Sequence, residues 1–594
     1  MAVYNPPLRD LQFVYHELLD PQRLQALPGF EEFDGDLVNA VLEEAGKLCA
    51  EVLFPLNRSG DEEGCHFENG EVRTPAGFKE AYQTFVEGGW TAIACDPEYG
   101  GQGLPNTVNV MVEEMICSSN LSFGMYPGLS HGAYNAIKAH ASEELKNRYL
   151  PKLVDGSWSG TMCLTEPQCG TDLGLVRTKA LPQEDGSYKI TGTKIFISAG
   201  EHDLTENIIH LVLARLPDAP KGIKGISLFL VPKFLPDANG EPGERNGVSC
   251  GAIEHKMGIK ASSTCVMNFD EATGWLLGQP NKGMRAMFTM MNTARLDVGI
   301  QGIGLGEAAY QGAVAYARER LQGRSLKGAK FPDKPADPLF VHPDVRRMLL
   351  TQRAYVEGAR ALAGWLASEI DVYQRSEDPQ EVQAAEDLVA LLIPVLKSFG
   401  TDMGFECANL GVQVYGGHGY IREHGMEQYV RDARITQIYE GTNGIQALDL
   451  VGRKLPAHMG RYLRRFFHPV SEYIEARKDN EELAEFIGPL AKVFGRLQRA
   501  TAFIAERGLR NPDEAGAASV DYQRLFAFTT LAYLWTRMAE IALQKRDGEE
   551  RLFYQAKIDT ARFFMQRLLP QSGGLYGAIV AGGGSIMGFN EEAF

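Results

Sequence analysis

The apolar residues of this chain change their spacing twice, and that change limits the folds open to it. In Asp36–Val52, the residues Leu37, Val41, Leu42, Ala45, Leu48 and Val52 recur at intervals of three and four, as on one face of a helix. From Thr161 to about Gly278 the chain breaks instead into short β-branched and aromatic runs, Tyr188–Ile190, Lys194–Ser198, Ile208–Leu213 and Ile226–Val231, separated by Gly, Pro and Asp. These runs predict antiparallel strands, with Thr191-Gly192-Thr193 as a hairpin tip. After Lys282 helical spacing returns in Met284–Arg324, His342–Ser376, Pro379–Asn409 and Gly425–Asp432, and a further helical block fills about 460–570. The Gly-rich tail Ser572–Phe594 is expected to be a loop or an arm. Helical and β blocks kept apart in this way give an α+β protein, not βαβ alternation. The expected division is 1–159 helical, 160–280 β, 281–455 helical and 456–594 an additional helical domain.

A chain of 594 residues exceeds one hydrophobic core, so several domains are expected. The net charge of −17 removes nucleic acid from the leading partners, because phosphate binding needs a positive field. Nine cysteines are scattered from Cys49 to Cys407 without a CxxC pair, which reads as reduced thiols. The start, MAVYNPPLRDLQF, lacks the apolar run of a signal peptide. No stretch reads as approaching the roughly 18 apolar residues of a membrane span. The expected location is the cytoplasm.

Three segments carry chemistry. In Cys163–Asp172 (CLTEPQCGTD), hydroxyls and backbone N–H groups on a Gly-containing turn suit the polar edge of a flavin and a pyrophosphate; alone, the segment is equally an ordinary capped β-turn. In Gln413–Tyr420 (QVYGGHGY), paired glycines let a backbone approach a nucleotide. The spacing is not a Rossmann fingerprint, and alone it is a tight inter-helix turn. In Arg434–Gln446 (RITQIYEGTNGIQ), an acid lies between Tyr439 and Gly441 with apolar Ile438 and Ile445 nearby. Desolvation there makes a carboxylate a stronger base, whereas the plain alternative is an acid at a helix N-terminus beside a Thr cap. His418 and His424 lack a third ligand at a standard spacing, so a metal site is rejected.

Taken in this order on a helical–β–helical background, the three segments resemble the acyl-CoA dehydrogenase family. The likeness runs from the PEYGG turn at Pro97–Gly101 through Gly452, and Ile438–Gln446 (IYEGTNGIQ) is its most specific mark. The resemblance implies an N-terminal helical domain, a central antiparallel β-domain, a C-terminal four-helix bundle and the extra helical domain of the longer members. The opening VYNPPLRDLQFVYHELL is similar to the subgroup that includes the 3-(methylthio)propionyl-CoA dehydrogenases.

Residue by residue, the resemblance makes Glu440 the catalytic base. The helix from Met284, which supplies the base in some relatives, here offers Ala294 instead. Leu164, Thr165, Thr171, Phe196 and Ser198 match flavin contacts, and Thr442 a further one. Arg320, Gln322, Gln413, Gly416 and Gly417 match contacts to the FAD of a neighbouring subunit. Thr171, Arg295 and Tyr439 match positions that touch the substrate. Cys169, Leu175, Gln428 and Gly444 depart from the family pattern. The implied reaction is α,β-dehydrogenation of an acyl-CoA to trans-2-enoyl-CoA by an FAD-bearing homodimer, with an electron-transfer flavoprotein as acceptor. Short or medium acyl-CoAs and 3-(methylthio)propionyl-CoA lead as substrates, with long chains, an acyl-CoA oxidase or a DNA-associated flavoprotein as alternatives. The acyl pocket is expected near Cys117–Ala139, where Ser118, Ser119, Gly124, Gly128 and Gly132 leave depth. The basic-aromatic stretch Arg461–Phe467 is read as a solvated helix face, not a membrane anchor.

Overall fold

The computed structural model describes residues 4–594. They form two compact units, one made of Ala45–Leu104 and Met115–Asp297, the other of 4–44, Pro105–Glu114 and Val298–Phe594.

The first unit is built on a seven-stranded sheet in the order Trp158–Cys163, Asn207–Ala214, Ser227–Pro232, Thr264–Leu277, Tyr188–Ser198 and Lys179–Pro182, with Val248–Ile253 also paired to Thr264–Leu277. Asn207–Ala214 and Ser227–Pro232 are buried along their whole length, which is why their apolar runs are nearly continuous. Period two then splits them between two cores. Ile209, Leu211, Leu213, Leu228 and Leu230 pack with Tyr149 and Trp158. Val212, Ala214, Phe229 and Val231 pack with Cys265 and Met267 on the other face.

Two details of the sheet differ from the expectation. Trp158–Cys163 pairs with Asn207–Ala214 in parallel, so the sheet is mixed. Thr191-Gly192-Thr193 is not a hairpin tip but the middle of one long strand, Tyr188–Ser198. Gly192 serves a close approach instead: a Cβ there would meet Thr178 Oγ1 at 2.4 Å, the strand-interior use of glycine. Helix Asn106–His140 bends at Asn120, whose φ of −160° and ψ of 89° leave the helical region. The Asn120 side chain mends the break by accepting from Phe123 N (3.1 Å) and donating to the Leu53 carbonyl (3.2 Å).

The second unit contains helices Pro343–Arg375, Pro379–Tyr415 and Met426–Thr436, with the C-terminal part of Gly283–Glu319 packed among them. Glycines set the contact between Gly283–Glu319 and Pro379–Tyr415: a Cβ on Gly302 would meet the Gly400 carbonyl at 2.3 Å, and one on Gly404 the Gly302 carbonyl at 2.2 Å. Contrary to the sequence reading, Pro379–Tyr420 is long and apolar enough to cross a membrane, but 83% of its most apolar window is buried. It is a core helix of this bundle. Helices Arg461–Arg477, Ala484–Arg510, Pro512–Lys545 and Arg551–Phe563 follow. The tail is also more ordered than expected, since Ser572–Val580 is helical and Arg496 donates to the Ser572 hydroxyl at 2.8 Å.

Buried charges tie this unit together. Arg360 is 3% exposed and binds Glu114 and Glu307 (2.8 Å) and also Asp10. Lys557, with no exposure, binds Glu357 at 2.7 Å and also Asp10. The N-terminal segment, the bundle and the C-terminal helices thus share one network. Removing one partner of a buried pair leaves the others uncompensated, at a cost of about 3–5 kcal/mol. Lys557→Met is therefore expected to lower stability by that amount, seen as a lower denaturant midpoint of the helical signal. An unchanged midpoint would show the network to be dispensable.

Candidate active site

Two helices meet at the acid singled out by sequence. Helix Met426–Thr436 ends, and Ile438 N and Tyr439 N close its last turn on the Ile435 carbonyl. Glu440 (φ +56°) and Gly441 (φ +82°) then both take left-handed backbone. Thr442 caps helix Asn443–Asp449 by accepting from Ile445 N at 3.3 Å. The φ of Gly441 is one that side-chain-bearing residues rarely adopt, and a Cβ there would displace Gln446 Nε2, 2.6 Å away. For Glu440 the left-handed region costs about 1–2 kcal/mol, and such strain collects at functional positions. The plain reading of the segment holds, an acid preceding a Thr-capped helix, and that acid is also held in a strained turn.

The Glu440 side chain is half-buried and Ile438 is exposed, so the apolar neighbours do not seal it as the sequence reading supposed. Tyr439 is half-buried and its hydroxyl donates to the Gln301 side chain. Gln446, fully buried, donates to the Glu440 carbonyl at 3.0 Å.

The same unit brings Gln413, Gly416 and Gly417 together with the segment holding Arg320 and Gln322. Tyr316 stacks on Tyr415 with ring centroids 4.0 Å apart, and its hydroxyl meets His418 Nδ1 at 2.7 Å. Gln413, Arg320 and Gln322 are exposed. Gly416 has φ +59°, and a Cβ on Gly416 or Gly417 would meet nothing within 4 Å. Gly419, in contrast, is a packing glycine, its Cβ position lying 2.3 Å from the Val412 carbonyl. The ring pair Tyr316–Tyr415 that joins these segments was not read from the sequence, since its partners lie far apart in the chain.

The remaining candidates lie in the sheet-containing unit. The turn after strand Trp158–Cys163 is anchored by a buried ion pair, Glu166 to Lys194 at 2.8 Å. Lys194 also donates to the Leu164 carbonyl (3.0 Å), and the Thr165 carbonyl accepts from Ile195 N (2.9 Å). Glu166 further accepts from Thr178 N, Thr178 Oγ1 and Arg177 N. Thr171 is exposed and Cys169 is buried. Phe196 sits in a β-bulge: Ile197 pairs with Cys265 and Lys194 with Met267, so Ile195 and Phe196 together oppose Val266. Bulges re-aim side chains beside active sites, and Phe196, with φ +57°, is turned out to 59% exposure. Ser198 is half-buried and pairs with Thr264. Neither Lys194 nor Glu166 was singled out by sequence, although each stands inside a motif that was.

Arg295 is buried with its guanidinium 6.0 Å from the Phe288 ring, and Ala294 beside it offers no base. Of the small residues expected to give the acyl pocket depth, two are already covered. A Cβ on Gly124 would meet Ile116 Cγ2 at 3.0 Å and one on Gly132 would meet Met290 Cγ at 3.1 Å, whereas Gly128 meets nothing within 4 Å.

Comparison with known proteins places these segments in one family. Models described as acyl-CoA dehydrogenase N-terminal, middle and C-terminal domains match residues 38–157, 161–272 and 281–455, and one described as acetyl-CoA dehydrogenase C-terminal like matches 466–590. The 3-methylmercaptopropionyl-CoA dehydrogenase of Ruegeria pomeroyi is 44% identical, over 98% of this chain and 99% of its own. A butyryl-CoA dehydrogenase of Syntrophomonas wolfei is 35% identical over 100% and 99%. Among solved structures, an acyl-CoA dehydrogenase complexed with FAD from Bacillus anthracis shares the fold, with a TM-score of 0.75 at 22% identity over 96% of this chain and 91% of that one.

Glu166 also gives a pH dependence. Burial pushes its carboxyl up, but the Lys194 ammonium and the bonds from Thr178 and Arg177 outweigh this and bring it from 4.5 to about 2. An acid lowered on folding adds stability that is complete above its unfolded value and lost as pH falls through its folded one. Stability is therefore expected to decline between about pH 4.5 and 2, and Glu166→Gln to start less stable at neutral pH with a shallower decline. Parallel acid-unfolding curves for the two proteins would contradict the role given to the pair.

Proposed function

The chain belongs to the acyl-CoA dehydrogenase family, and from that premise we propose that it oxidises an acyl-CoA thioester to the trans-2-enoyl-CoA with Glu440 as the base. The observation that carries this reading is the left-handed turn that presents Glu440 between Tyr439 and Gly441. The α-proton of a thioester is too weakly acidic for a mobile carboxylate to remove quickly. Glu440 takes that proton from a fixed position, and its backbone N–H donates to the thioester carbonyl as enolate character develops. A preorganised donor of this kind is worth about 3 kcal/mol or more.

The residues suit FAD. Phe196 offers an exposed aromatic face, the Thr165 hydroxyl and Ser198 offer polar contacts, and Gly416 and Gly417 leave room for a nucleotide backbone. When bound, FAD supplies an oxidised ring that accepts the β-hydride at N5. Leu164, Thr165, Thr171, Phe196, Ser198 and Thr442 would hold the FAD of their own subunit. Arg320, Gln322, Gln413, Gly416 and Gly417 serve that of a second copy, which makes the enzyme a homodimer. Thr171, Arg295 and Tyr439 orient the substrate, and reducing equivalents leave to an electron-transfer flavoprotein. The substrate is a short or medium acyl-CoA; 44% identity to a 3-methylmercaptopropionyl-CoA dehydrogenase supports the thioether acyl-CoA in particular.

Glu440→Gln is expected to remain yellow and FAD-loaded while turnover falls by about a thousandfold. A dye-linked assay across butyryl- to palmitoyl-CoA and 3-(methylthio)propionyl-CoA checks this, and near-normal rates in the variant remove Glu440 from the role. Fastest turnover of wild type on the longest chains removes the proposed substrate class. Sedimentation should give a dimer carrying one FAD per chain; monomers with tightly held FAD contradict the shared cofactor site.

A further inference from the structure

Helix Pro379–Tyr415 buries a lysine to which the chemistry above gives no part. Lys397 has no solvent exposure. Its ammonium donates to the Gly441 carbonyl at 2.9 Å and to Asn443 Oδ1 at 2.9 Å. Asn443 is fixed in turn: its Nδ2 donates to Asp402 Oδ1 (2.7 Å), Thr401 Oγ1 (2.9 Å) and the Ser398 carbonyl (3.3 Å). Asp402 Oδ1 also accepts from Gln437 Nε2 at 2.7 Å, and the Gln437 carbonyl accepts from Asn443 N at 3.1 Å. The loop from Gln437 to Asn443 is thereby closed on itself, and both its ends are tied to one stretch of helix, 397–402. Glu440 stands at its crown.

Burying an ammonium costs free energy unless its bonds are made, and an apolar residue would fill a bundle core more simply. Lys397 directs its bonds to the peptide that follows the left-handed pair and to the first residue of the next helix. With that carbonyl held, Gly441 cannot relax toward ordinary backbone without breaking a buried bond, and Glu440 cannot turn without moving Gly441. We propose that Lys397 is a positioning residue for the proton-transfer step, fixing the turn so that the Glu440 carboxylate and backbone N–H keep one mutual geometry. This rests on the reading of Glu440 as the base.

The test separates the two ideas. (Methylthio)acetyl-CoA has an α-hydrogen but sulfur at the β position, so the enzyme can exchange its α-proton with solvent deuterium without completing the oxidation. In FAD-loaded Lys397→Met, exchange and kcat on butyryl-CoA are expected to fall together by about 30- to 100-fold with KM within about threefold, the penalty of a base displaced by about an ångström. Exchange at the wild-type rate, or a rise in KM with kcat intact, overturns the proposal. Where Lys397→Met does not retain FAD, Asn443→Ser loosens the same anchor from a half-buried position, and the same two rates decide. Glu440→Gln is run beside them: undiminished exchange in that variant sinks the base assignment itself, whatever Lys397→Met does.

Discussion

The second unit is assembled from pieces that lie hundreds of residues apart, and Arg360 is where they meet. Its guanidinium takes a carboxylate from the N-terminal segment (Asp10), one from the start of helix Asn106–His140 (Glu114) and one from the bundle (Glu307). Lys557 repeats the device from the C-terminal helices on Asp10 and Glu357. Such a cluster adds little net stability over an apolar core of the same shape. It is intolerant of error, because a piece docked in the wrong register leaves a buried charge without its partner. On this view the C-terminal helices are not an appendage. Trp535 Nε1 donates to the Ala354 carbonyl at 3.1 Å and Gln523 Nε2 to the Pro394 carbonyl at 2.9 Å, both buried, so the last domain also supplies donors to the bundle's backbone.

The same use of buried cations recurs at both chemically promising loops. Lys194 sits under the Leu164–Glu166 turn and Lys397 under the Glu440–Gly441 turn, each bonding a backbone carbonyl and a side chain. A long flexible side chain gives up its rotamer freedom when buried, so it is an inefficient filler. It can, however, reach from a rigid element to a loop and fix it by more than one bond. Sites held within about half an ångström need such support from rigid elements. The loops carry the candidate site residues, and the strand Tyr188–Ser198 and the helix Pro379–Tyr415 carry the lysines that hold them.

What the sequence disclosed and what it hid divide along the range of the forces involved. Helix Pro343–Arg375 and strand Asn207–Ala214 were legible because their apolar spacing is a local pattern. The Thr cap after Glu440 was legible because capping is also local, whereas the left-handed turn at Glu440 was not. Gly192 misled, because glycine marks a turn and a close approach equally, and only the distant Thr178 decides between them. The helical tail Ser572–Val580 was misjudged from its glycines, whose low propensity is overridden by packing. The expected depth at Gly124 and Gly132 was taken up by Ile116 and Met290. Lys194 and Lys397 were invisible for the same reason: their partners are set by topology, and nothing in the adjacent sequence names them.

The strain at Glu440 follows from this arrangement. A left-handed non-glycine residue costs about 1–2 kcal/mol, whereas each buried hydrogen bond left unmade costs about 1–3 kcal/mol. Relaxing the turn would break the bond from Gln446 to the Glu440 carbonyl and that from Lys397 to the Gly441 carbonyl, and together these two bonds offset the strain. The conformation is over-determined by groups on both sides of the turn. The strain is thus held by packing within this unit, by Gln446 on the helix that follows the turn and by Lys397 on the helix Pro379–Tyr415.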